Sequence, residues 1–403
     1  MTSPIRLFSG DELGLVKVLQ GDSAESMQIV DTWGGAMDRG QSVECMSVPE
    51  STGGVAVGRK DGSVQLLQAG TGHVVANFQS LERERCSGIL MTGPSDAASK
   101  LTLISCSQGG GVKRRVCESE FPQENLDWEE LSWQLEQNVG KKTEKAAPVD
   151  CLAFSSDGGT LAAGGEGKVL TLWNVATQER IFKAKTPDPD WLGLRPKNVV
   201  NALAFLPAEG EGRKVLVGGP GQVGSEHHKV MVYDVAASPR PVQELNFGEG
   251  TITALAPTPD GRGVFVGDAR GKLAFVDLRM LGIQGVLKGP AGGLRAVVHH
   301  PTLPIVASCG LDRFVRLHHA NTRKLLSQTY VKQVANCLAF DVSFPEPVAP
   351  EPAKDDAEEI GPSRKRKIKS SKSKEQASSD GETKEKKKLK MKKKKKKSIP
   401  TDA

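Results

Sequence analysis

Three adjacent histidine pairs, His227-His228, His299-His300 and His318-His319, are the residues of this 403-residue chain that first suggest chemistry. Imidazole is the commonest transition-metal ligand, so each pair raises the question of a bound ion. The local pattern argues against one. "FVRLHH" alternates as a strand does, and neighbours on a strand point to opposite faces, so His318 and His319 cannot hold one ion between them. No thiolate or carboxylate stands at ligand spacing beside any pair. Two Gly-Lys dipeptides, in "GGEGKV" and "DARGKL", lack the glycine five residues earlier and the Ser or Thr that would follow in a phosphate-binding loop. Lys168 and Lys272 are therefore expected on the polar side of hairpin turns. Neither a G-x-S-x-G elbow nor an H-E-x-x-H pair occurs. The reading is of a protein that is not an enzyme and takes neither metal nor cofactor.

The cysteines, Cys45, Cys86, Cys106, Cys117, Cys151, Cys309 and Cys337, are odd in number and never form a C-x-x-C pair. Several lie in apolar runs such as "VDCLAF" and "VANCLAF", where a thiol behaves as a small buried hydrophobe. Reduced core cysteines of an intracellular protein are expected. No apolar run approaches the roughly 20 residues that cross a bilayer, so no membrane association is expected. The opening "MTSPIRLFSGDELG" lacks the basic and apolar regions of a signal peptide.

Charge divides the chain. The net charge of +6 hides a nearly neutral body, an acidic stretch over residues 346–359 and a basic run over 364–397 that holds 18 Lys/Arg against 4 Asp/Glu. Blocks of like charge repel and bury no surface, so residues 343–403 are expected to form a disordered tail, acidic and then Lys-rich. Its candidate targeting and RNA-backbone residues are Arg364, Lys365, Arg366, Lys367, Lys386, Lys387, Lys388, Lys392, Lys393, Lys394, Lys395, Lys396 and Lys397. Lysines supply point charges without bidentate geometry, so such a tail raises affinity for phosphate without selecting a sequence. Nuclear import alone is the simpler reading of the same residues.

The body repeats. "VDCLAFSSDGGTLAAGGEGKVLTLWNVATQERIFK" begins at residue 149, and similar copies begin at 199, 251 and about 297. Each has an apolar strand, a Pro/Asp/Gly turn, a strand ending in small residues, a tight turn, an alternating strand and a polar turn into a last strand. A period of about 40 to 50 residues is that of a four-stranded propeller blade. Trp173-Asn174, Tyr233-Asp234 and Val276-Asp277 occupy the Trp-Asp position of WD repeats, although no copy keeps the Gly-His dipeptide. Weaker copies cover 43–78 and 85–119, and the segment 120–146 is expected to complete the third blade and add a loop. "PIRLFSGDELGLVKVLQ" reads as a blade without its opening strand, while "VANCLAF" (334–340) is a strand without a blade. Joining them closes the ring and leaves no unpaired end. The expected fold is all-β, a seven-bladed WD-repeat β-propeller over residues 1–342.

"FKAKTPDPDWLGLRPKNVVNALAFLP", "PTPDGRGVFVGDARGKLAFVDLR", "ASCGLDR" and "TYVKQVANCLAF" resemble the ribosome-assembly WD-repeat family typified by WD repeat-containing protein 74. The likeness covers most of residues 147–341 clearly and 1–120 loosely. It implies a nuclear and nucleolar scaffold of large-subunit (pre-60S) ribosome assembly and pre-rRNA processing. The implied partners are pre-60S assembly factors, pre-rRNA bound without sequence choice through the tail, and a nuclear valosin-containing-protein-like AAA ATPase that releases the protein. It would act as a monomer within that large complex. A nuclear WD-repeat receptor for histone tails or ubiquitin-ligase substrates is the alternative.

Candidate contact residues are few. In "PDPDWLGLR", Pro187 and Pro189 exclude strand and helix, which puts Asp190, Trp191 and Arg195 on an inter-blade loop. Either Trp191 anchors a partner, or it folds back to seal two blades while Arg195 pairs with Asp190 or Asp188. In "GLDRF", Asp312 is expected to satisfy backbone N–H groups of its turn, and Arg313 to point outward toward a partner carboxylate or phosphate.

Overall fold

The computed structural model describes residues 4–35, 37–49, 53–79, 84–93, 100–118, 128–135, 148–185, 198–207, 214–220 and 227–344. Their 28 strands form seven antiparallel sheets of four strands each, as expected of a seven-bladed propeller. The second strands show why so many β-branched residues are needed. Gly54–Arg59, Gly263–Asp268 and Ile305–Gly310 are buried at every position, because a neighbouring blade covers each face of the sheet. Outer strands such as Leu325–Tyr330 instead bury no residue fully and expose Leu325, Gln328 and Tyr330. Among the described residues no helix is long and apolar enough to cross a membrane.

The innermost strands run in ring order: Ala335–Asp341, Val43–Ser47, Cys86–Thr92, Cys151–Phe154, Ala202–Phe205, Ile252–Pro257 and Leu294–His299. Each touches the next, and the last touches the first. The first blade is composite. Ala335–Asp341 pairs with Ile5–Asp11 from Arg6 opposite Asp341 to Gly10 opposite Cys337. Trp128 and Trp133 belong to the third blade, whose outer strand is Glu129–Gln134, and Trp128 meets Phe78 of blade 2 edge-on at 5.4 Å. The core is correspondingly divided into seven apolar clusters, one at each blade junction.

A recurring steric fit sets each junction. Every inner strand opens with an apolar residue, a polar one and a small one: Ala335-Asn336-Cys337, Val43-Glu44-Cys45, Cys86-Ser87-Gly88, Val149-Asp150-Cys151, Val200-Asn201-Ala202, Ile252-Thr253-Ala254 and Leu294-Arg295-Ala296. The small third residue lies opposite a Gly or Cys of the second strand: Gly10, Gly58, Cys106, Gly164, Gly218, Gly267 and Cys309 in blades 1 to 7. Onto that small residue presses the opening residue of the next blade. A Cβ at Gly10 would stand 2.4 Å from Val43 Cγ1, at Gly164 2.6 Å from Val200 Cγ1, and at Gly218 2.6 Å from Ile252 Cγ2. Real Cβ atoms do not approach so closely, so these strands end in small residues by necessity.

Where the chain's ends meet, a buried ion pair is added. Lys17, on blade 1, is 4% exposed, and its Nζ donates to Asp11 Oδ2 (2.8 Å), Val331 O (2.6 Å) and Gln333 Oε1 (2.6 Å). The last two belong to the connection from blade 7. At the next junction Arg59 of blade 2 bridges through the backbone instead, donating to Gly14 O and Gln41 O at 2.8 and 2.9 Å. Replacing Lys17 by Met leaves Asp11 buried without its cation. We expect Lys17→Met to lower unfolding stability in urea by about 3–5 kcal/mol, the usual effect of breaking a buried pair.

Candidate interaction surface on the upper face

The antiparallel order places two sets of loops at the end where inner strands begin: the connections between blades and the turns between second and third strands. That end is called the upper face here. The polar middle residues of the seven triplets ring its centre. In five blades the residue is a bulge, skipped by the pairing register: Asn336, Glu44, Ser87, Thr253 and Arg295. Asp150 and Asn201 hold the corresponding place, their N–H groups donating to Gly164 O and Gly218 O. Most are turned to joining blades. Asn336 Nδ2 donates to Val43 O (3.1 Å), Glu44 pairs with Arg85 (2.9 Å), Ser87 Oγ donates to Val149 O (2.7 Å), and Asp150 accepts from Gln108 Nε2 (2.9 Å).

Arg295 is different, being exposed and without a carboxylate partner among the described residues. Three more exposed cations share its sector and its lack of an ion pair: Lys288 between blades 6 and 7, Arg313 on the blade-7 turn, and Lys332 between blades 7 and 1. Nearby acids are turned inward. Asp312 Oδ2 accepts from buried Arg316 (2.5 Å) and from Ala291 N–H (3.1 Å), while Asp11 accepts from Lys17. Glu12, half-buried on the adjoining blade-1 turn, enters no ion pair among the described residues. Four unpaired cations against one acid form a site suited to anionic groups.

Asp312 and Arg313 both lie in the tight turn of blade 7. Asp312 Oδ1 accepts from Phe314 N–H (3.3 Å), closing the turn. Arg313 takes a left-handed φ of 64° at the turn's tip, which carries its guanidinium outward to 5.8 Å from the exposed Tyr330 ring. Asp190, Trp191 and Arg195 lie outside the described residues, as do the tail residues from Arg364 to Lys397. Lys288, Arg295 and Lys332 were not singled out from the sequence. Aligning the seven triplets would have picked out Arg295, whose position holds an acid or a neutral polar residue in the other six.

The histidines are structural. His318 Nε2 lies 2.9 Å from Lys288 O, whereas His319 Nδ1 accepts from Asn321 and Thr322 N–H groups, so the pair does face opposite ways. His300 Nδ1 accepts from Thr302 and Leu303 at 3.2 and 3.0 Å, holding the turn to the second strand of blade 7. Burial pushes His318, His299 and His228 below the ordinary imidazole value and takes His300 down to about 4, with the charge of His299 adding to it. Lys272 does more than face solvent: its Nζ donates to Phe247 O of blade 5 at 2.8 Å. Cys45 Sγ lies 3.6 Å from Cys86 Sγ, and burial pushes the Cys309 thiol up to about 12.

Repeated four-stranded blades closed in a ring of seven define a WD-repeat propeller, and the WD domain, G-beta repeat family matches residues 139–174 and 282–319. WD repeat-containing protein 74 of Mus musculus is 34% identical over 295 residues, 71% of this chain and 69% of the mouse protein. Its Homo sapiens counterpart is 41% identical over 181 residues, 44% of this chain and 45% of the human one, so that match spans less than half of the relative. A WD repeat-containing protein of Dictyostelium discoideum is 26% identical over 198 residues, 48% of this chain and 36% of its own. The chain belongs to the WD repeat-containing protein 74 family.

The lowered histidines make stability depend on pH in a stated direction. Below the ordinary imidazole pKa of about 6.5 the unfolded chain takes up protons that the folded chain refuses, down to about 4 at His300. Their contribution is therefore complete above about pH 7 and declines as pH falls from about 6.5 toward 4. Thermal melting should show Tm lower at pH 5 than at pH 7.5. His300→Asn, which keeps an acceptor for the turn but does not titrate, should make that decline shallower.

Proposed function

We propose that the protein is a non-enzymatic scaffold in the assembly of the large ribosomal subunit, including pre-rRNA processing, in the nucleus and nucleolus. The carrying observation is the cationic sector formed by Lys288, Arg295, Arg313 and Lys332 on the upper face of blades 6, 7 and 1. A rigid platform of unpaired cations suits the phosphate backbone of a folded RNA, which is recognised by shape and charge. The same charge disfavours basic histone tails, the main ligand of the alternative receptor reading. The Lys-rich segment 364–397 supports the proposal by adding sequence-independent affinity. Membership of the WD repeat-containing protein 74 family agrees with a scaffold role. Assembly factors would occupy the remaining blades, and an AAA ATPase of the valosin-containing-protein type would remove the protein once its stage is complete.

Affinity purification in mild salt tests this directly. Large-subunit precursor RNA and assembly factors should dominate the wild-type eluate. Arg295→Glu/Lys332→Glu should recover at least tenfold less of that RNA while the propeller's melting temperature is kept. Dominance of histones or ubiquitin-ligase adaptors, or unchanged RNA in the double variant, would overturn the proposal.

A further inference from the structure

The outer edge of blade 6, rising from its lower turn, carries an apolar surface that no partner in the fold covers. The turn after its third strand exposes Met280 by 73% and Leu281 by 36%, and the outer strand Gly282–Leu287 exposes Ile283 by 38% and Val286 by 50%. No charged residue occurs between Arg279 and Lys288, so this edge lacks the lysines and acids that usually guard an unpaired strand. Leu281 also sits in the left-handed region, at φ 48°. The matching turns of blades 2, 4 and 7 place Gly72, Gln178 and Arg323 in that conformation, a glycine and two long polar residues. An exposed leucine there serves neither the turn nor solubility.

Beside this edge a cleft of about 450 Å³ opens between blades 6 and 7, floored by Phe265 and Phe275. Its acids are already occupied. Asp260 takes the Thr258 hydroxyl and Arg262 N–H, and Asp277 takes the Arg279 guanidinium at 3.0 Å. Its other cations are not. Neither the Arg262 nor the Arg323 guanidinium bonds a carboxylate among the described residues, and Arg323 Nε is buried with no hydrogen-bond partner. Arg323 crosses the edge strand at its midpoint, since a Cβ on Gly285 would stand 2.5 Å from Arg323 NH1. Gly285 is what lets the guanidinium lie there.

We infer that blade 6 docks an extended segment of a partner protein that carries alternate apolar side chains and a carboxylate. The segment adds along Gly282–Leu287 with its apolar residues on Met280, Ile283 and Val286, while its carboxylate enters the cleft to reach Arg323 and Arg262. Main-chain pairing supplies affinity and the arginine fork supplies the choice of an acid. The strand ends at Leu287, next to Lys288 of the cationic sector, but the docking contacts are other residues, so the inference stands whether or not the ribosomal proposal holds.

Random 12-residue peptides displayed on phage and panned on the full-length protein are the probe. Peptides alternating Val, Ile or Leu with polar residues and bearing Asp or Glu should be enriched. One synthesised and labelled for fluorescence anisotropy should lose at least tenfold in affinity on Arg323→Glu and on Val286→Lys. Val74→Lys, on the outer strand of blade 2, should change it less than twofold. The Lys-for-Glu version of the peptide should bind the Arg323→Glu variant better than wild type. Enrichment of basic peptides or of none, affinity unmoved by Arg323→Glu and Val286→Lys, or displacement by single-stranded RNA would overturn the inference.

Discussion

A ring of seven sheets needs one place in each where the next sheet can come close, and the second strand provides it. Gly10, Gly58, Cys106, Gly164, Gly218, Gly267 and Cys309 stand at the same level in successive blades, each taking an apolar residue of its neighbour. Close approach allows the large side chains around it to interdigitate into seven separate clusters. Because the fit is steric and repeated, an enlarged residue at one level strains a single junction.

The two faces follow from the same register. The bulge that seats each opening residue also turns one polar side chain toward the centre of the upper face. In most blades that side chain is used to bond the neighbouring blade, which rigidifies the rim. Arg295 is released from this duty, and with Lys288, Arg313 and Lys332 it makes one sector cationic. On the outer edge of blade 6, an uncharged strand lies beside a cleft that holds two arginines without carboxylate partners among the described residues.

Much of the architecture was legible because it is local and repeated. Strands ending in "SCG", "VGD", "GGP" or "AGG" record the seats, and the lone "VANCLAF" announced a strand in search of a sheet. The ends pair at 335–341 and 5–11, which only a ring of whole blades explains. The candidate interaction surface was far less legible. Lys288, Arg295, Arg313 and Lys332 come together because a blade returns its connections and its central turn to one face, a relation invisible in any short window. Arg323 over Gly285 is likewise a contact between blades, written in neither blade's own pattern. By contrast, the segment of Asp190, Trp191 and Arg195 and the Lys-rich run stand out in sequence by composition alone.

The steric seat is most directly tested by a double-mutant cycle at the junction of blades 5 and 6. Gly218→Ala alone should cost about 1–3 kcal/mol through its clash with Ile252, and Ile252→Ala about 2–5 kcal/mol through lost packing. Urea unfolding of the double variant should show a loss smaller than the two combined by about 1 kcal/mol or more, because the smaller partner makes room for the added methyl group. Losses that add to within about 0.5 kcal/mol would contradict the account, since the two residues would then not be fitted to each other.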